Sequence, residues 1–72
     1  MKLPRLSGQK VIKTLIKTGF EEKRQKGSHV ILRKEQVVVV VPNHKEIDKG
    51  TLLEIIRQTK LSKEEFLTLL RK

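Results

Sequence analysis

The chain has 72 residues, with 17 Lys+Arg against 8 Asp+Glu, a formal charge of +9. Hydrophobic residues make up 36% and cysteine is absent, which excludes a disordered chain, disulfides and cysteine-based zinc sites. A chain this size buries only roughly 60% of the surface its unfolded form exposes, so one domain over residues 1–72 with a small core is expected, and no large cofactor pocket.

Residues 1–6 read as a short tail without the apolar stretch of a signal peptide. Ser7 is the N-cap of a predicted helix that runs to about Thr18. Its Val11, Ile12, Leu15 and Ile16 form one apolar stripe, and Gly19 stops it. Phe20 to Gln25 reads as a first strand, Lys26-Gly27 as a tight turn, and Ser28 to Lys34 as a second strand. Glu35-Gln36 turns the chain into a third strand, Val37 to Val41, which Pro42 ends. Asn43 to Ile47 is a loop. Asp48 caps a helix over about Lys49 to Thr59, with Leu52, Leu53, Ile55 and Ile56 on its buried side. Ser62 and Glu65 form a capping box that opens a short final helix carrying Phe66, Leu67, Leu69 and Leu70. The expected fold is α+β: the order α-β-β-β-α, a three-stranded antiparallel meander with helices on one face, plus a short C-terminal helix.

The charge points to a polyanion partner, with nucleic acid ahead of an anionic membrane. The longest apolar run, Val37 to Val41, is far short of the roughly 20 residues that cross a bilayer. The absence of cysteine from so small a domain fits the cytoplasm. With two Phe, no Tyr and no Trp, the chain lacks aromatics for stacking on bases. Contacts to phosphates or to overall helix shape fit better.

Strand parity sorts the second strand. Val30 and Leu32 share the core face; His29, Ile31 and Arg33 share the open one, since Arg33 has no reason to be buried. His29 then lies just past the turn, near Arg24, Lys26 and Ser28. A neutral imidazole beside several cations suits a phosphodiester. A histidine beside a turn also serves simply to bond a backbone carbonyl. His29, His44 and the carboxylates match no metal motif such as H-E-x-x-H, and the glycines match neither a P-loop nor a dinucleotide fingerprint, so no metal or cofactor is expected. The third strand is valine on both faces and lies at a sheet edge, which fits a protein partner or self-association through that edge.

These residues resemble a family. Arg24-Gln25-Lys26-Gly27-Ser28-His29, the valine strand ending Val41-Pro42-Asn43-His44, and then Lys49-Gly50-Thr51-Leu52 look like the HicA toxins, also called YcfA-like proteins. Leu6-Ser7-Gly8 with Val11-Ile12, and the tail Leu61-Ser62-Lys63-Glu64-Glu65-Phe66, extend the resemblance over nearly the whole chain in order. The turn at Lys34 to Gln36 is more compact than in many relatives. The resemblance implies a double-stranded-RNA-binding-like fold. It also implies an mRNA-cleaving toxin of a toxin–antitoxin pair, blocked by a HicB-type antitoxin, with the catalytic histidine of the G-S-H segment at His29.

On this reading His29 takes a proton from a ribose 2′-OH or a water, as an imidazole can at neutral pH. Arg24 and Lys26 hold the phosphate, with Gly27, Ser28 and Arg33 as further RNA contacts. His44 is a second acid only if the fold brings it near. Two other readings fit the same charge and fold: a non-catalytic RNA-binding module, and an interaction protein that works through its valine edge.

Overall fold

The computed structural model describes residues 3–72. Helix α1 spans Gly8–Lys17 and starts where predicted: Ser7 has extended backbone and its Oγ accepts from the Lys10 N–H at 3.1 Å. Gly19 follows the C-cap Thr18 at φ +104°, a conformation that favours glycine and ends the helix. Three strands follow: β1 over Glu21–Lys26, β2 over His29–Lys34 and β3 over Val37–Pro42. They form one antiparallel sheet in the order β1-β2-β3. Helices α2, Lys49–Thr59, and α3, Lys63–Leu70, complete the chain. The fold is therefore the expected α+β meander, α-β-β-β-α with an added C-terminal helix.

The caps of the later helices are also as read. Asp48 accepts from the Thr51 N–H at 3.1 Å. Ser62 and Glu65 bond reciprocally, Glu65 N–H to Ser62 Oγ at 3.0 Å and Ser62 N–H to Glu65 Oε1 at 2.9 Å. The core lies between the sheet and the helices. Val30, Leu32, Val39 and Val41 supply the sheet side, and Val11, Leu15, Leu52, Ile55 and Phe66 the helix side.

Several expectations need correction. The segment before α1 is not a free tail: Leu6 is buried and bridges Ile47, whose N–H reaches the Leu6 carbonyl at 2.7 Å. Met1 and Lys2, the start of the expected tail, lie outside the described residues. The first hairpin turn is Gly27-Ser28 rather than Lys26-Gly27, because Lys26 pairs with His29. Phe20 precedes β1 and sits in the core. In α1 it is Thr14, not Ile16, that completes the buried stripe, and in α2 Leu53 is only half-buried while Thr59 is buried. The helices pack toward β3, so a side chain turned toward β1 finds nothing above it. Ile16 is such a side chain: it lines an open groove with Glu22 and Gln25 of β1.

Candidate nucleic-acid interface on the open sheet face

The open face is set by register. Lys26 pairs with His29 and His29 with Pro42; Arg24 with Ile31 and Ile31 with Val40; Glu21 with Arg33 and Arg33 with Val38. Paired residues share a face, so these make three rows across the sheet. The β1 side of the face carries Arg24 and Lys26, and the β3 side carries Val38 and Val40.

Arg24 reaches the face of His29 by parity, because the ladder runs unbroken from the turn: Lys26 with His29, Gln25 with Val30, Arg24 with Ile31. Pairing slips only beyond it, between Glu22 and Arg24, leaving Lys23 as the extra residue. In an unbroken ladder Lys23 would stand opposite Leu32 and Glu22 opposite Arg33. With the bulge, Glu22 stands opposite Leu32 on the helix side and Glu21 opposite Arg33 on the open face. Nothing in the residue pattern marks this slip, because β1 is polar throughout and no apolar side chain fixes its phase.

His29 is exposed at the first position of β2. Its Cα partner Lys26 flanks a two-residue turn, so the two form a hydrogen-bonded pair with Cα atoms about 5.5 Å apart. Arg24 is on the diagonal, about 7–8 Å away between backbones, within reach of its long side chain. Among the described residues neither Arg24 nor Lys26 is paired with a carboxylate; the acid that shares their face of the strand, Glu21, accepts instead from Lys23 Nζ at 3.3 Å. Both cations are free to meet an anionic ligand. Arg33 shares the face but lies four residues along the strand from His29, about 13 Å. Its Nε donates to the Glu35 carbonyl at 2.8 Å.

The turn that presents His29 is held from behind. Gly27 has φ +60° and nothing within 4 Å of where a Cβ would stand, so its conformation rather than its space calls for glycine. The Gln25 side-chain amide donates to the Gly27 carbonyl at 3.2 Å. The Ser28 carbonyl accepts from the Asn43 N–H at 2.6 Å. The next residue, His44, accepts through its carbonyl from the Gly8 N–H at 2.8 Å. A Cβ at Gly8 would fall 2.3 Å from the Pro42 carbonyl oxygen, so α1 meets this segment with no space between them. The His44 side chain lines a separate depression with Ser7, Gln9, Asn43 and Lys45, on which His29 does not border.

Thus the structure brings together His29, Arg24, Lys26 and the Gly27-Ser28 turn, and sets Arg33 and His44 apart. An exposed imidazole between free cations can move a proton at a phosphate that the cations hold. A model of the family described as the HicA toxin of bacterial toxin–antitoxin systems matches residues 8–61. That stretch takes in α1, the whole sheet and α2, and the chain belongs to the family. No curated protein matches the chain.

Proposed function

We propose that this toxin is an endoribonuclease that cleaves mRNA without a metal ion, with His29 as its general acid/base. Membership of a toxin family makes a toxin role and an antitoxin partner the premise. The observation that carries the finer reading is the exposed His29 beside two cations that no carboxylate neutralises. Arg24 and Lys26 hold the phosphate and offset the charge that builds on its oxygens as the nucleophile attacks. His29 removes the proton from a ribose 2′-OH or a water; as that oxygen bonds to phosphorus the P–O5′ bond breaks, and the imidazolium gives the proton to the departing 5′-oxygen. The Gly27-Ser28 turn presents the imidazole, and its backbone lies close enough to the site to line the RNA path. Arg33 contributes at the far end of the face, to a longer stretch of RNA. A HicB-type antitoxin that covers His29 blocks cleavage sterically. Work on mRNA places the protein in the cytoplasm.

One positioned base supplies roughly 10²–10⁴-fold in rate, so a slow nuclease is expected. The test is RNA cleavage by the purified chain and by His29→Ala, with EDTA present. The variant is expected to lose about 10²–10⁴-fold in rate while binding RNA as before. Binding should weaken as salt rises, because phosphates that contact Arg24 and Lys26 release their counterions. Equal cleavage by both proteins would overturn the role of His29. Binding without cleavage by the wild type would leave a non-catalytic RNA-binding module.

A further inference from the structure

The two edges of the sheet are built differently. On β1 a bulge and six exposed polar or charged side chains disrupt the edge, devices that keep a strand from pairing with another chain. β3 has neither. Its register with β2 is unbroken, its residues from Val37 to Val41 carry no charge, and its one proline is the last residue.

The phase of the ladder tells which β3 groups are free. Glu35-Gln36 is a two-residue turn, so Lys34 and Val37 form a hydrogen-bonded pair, as do Leu32 with Val39 and Val30 with Val41. The bond from the Asn43 N–H to the Ser28 carbonyl continues the same phase. The N–H and C=O groups of Val38 and Val40 therefore point outward along the edge. Their side chains, 51% and 39% exposed, flank Ile31 on the open face.

We propose that β3 is a strand acceptor, and that its occupant is an extended acidic segment of the antitoxin. This rests on the toxin–antitoxin reading and gives it a mode of docking. A segment laid along β3 bonds the free groups of Val38 and Val40 and sets alternate apolar side chains beside theirs. The charge of +9 selects a carboxylate-bearing occupant over a second copy, which would bring the same charge to the seam.

The test uses the full chain carrying His29→Ala, so that cleavage plays no part, alone and with its cognate antitoxin. The Val38 and Val40 amides are expected to exchange fast in the free chain and at least about 100-fold more slowly in the complex. Val40→Pro deletes one outward donor and spares the β2 ladder; it should weaken the complex at least about tenfold. Val40→Thr keeps the donor and should bind within about threefold. Amides of Val38 and Val40 that exchange equally fast in free and bound chain would overturn the proposal, whether or not Val40→Pro folds. A chain that is dimeric by itself, with these amides already protected, would overturn the acidic occupant in favour of a second copy. None of these outcomes bears on RNA cleavage, which the assay of His29→Ala decides separately.

Discussion

Two side chains stand in backbone conformations that favour glycine: Glu35 at φ +55° and Lys60 at φ +69°. Lys60 is the left-handed cap of α2, and its N–H bonds the Arg57 carbonyl. A Cβ there costs about 1–2 kcal/mol, part of which a glycine returns as extra freedom in the unfolded chain. Lys60→Gly is therefore expected to stabilise the fold by about 0.5–1 kcal/mol, read from the midpoint of urea unfolding. At this scale His29 was legible in the sequence, because β2 alternates and Val30 and Leu32 fix its phase. Arg24 was named from its nearness in sequence, and parity from the Gly27-Ser28 turn puts it on the same face; what the bulge at Lys23 sets is that Glu21, not Glu22, stands opposite Arg33. A strand with no buried side chain leaves no periodic trace of such a slip.

The elements were legible where their signals are local. Ser7, Asp48 and Ser62 each accept from a backbone N–H within their own first turn, so no tertiary contact was needed to find them. Contacts between elements were not legible. Ile16 lies on the apolar stripe of α1 yet is exposed, because α1 packs beside β3 and leaves β1 uncovered. The close approach of Gly8 to Pro42 and Asn43 was equally invisible, since it joins residues far apart in the chain. It carries a prediction. A methyl at Gly8 would sit 2.3 Å from the Pro42 oxygen and 2.8 Å from the Asn43 Cα, both backbone, so α1 or the segment must move. Gly8→Ala is expected to cost about 1–3 kcal/mol, measured by thermal unfolding, although alanine is the better helix former. Amide shifts in a two-dimensional NMR spectrum should spread through Asn43 to Ser28, along the hydrogen bond that joins them.

For the whole molecule, acid is the condition that tests its electrostatics. Three carboxyls are held below their ordinary range: Asp48 by the Thr51 hydroxyl and N–H, Glu54 by the Arg57 guanidinium, and Glu65 by the Ser62 N–H. A carboxyl depressed on folding contributes stability that is complete above its unfolded value and lost as pH falls through its folded one. The unfolded values lie at about 4, so Tm is expected to hold from pH 8 to 5 and to drop below about 4. Calorimetry across that range checks this, and Glu65→Gln should flatten the drop. As the carboxylates protonate, the charge also climbs above +9, and self-repulsion adds to the loss.

No helix among the described residues is long and apolar enough to cross a membrane. All of the core is drawn from α1, Phe20, β2, β3, α2, α3 and the bridge between Leu6 and Ile47. β1 contributes nothing to it: all six of its side chains are exposed. The strand that carries Arg24 and Lys26 is thus released from the demands of packing. Selection can rewrite its charges one at a time, altering what the open face attracts without touching what makes the chain fold. Substitutions along β1 can thus recast the charge of the open face while the valines beneath the helices stay as they are.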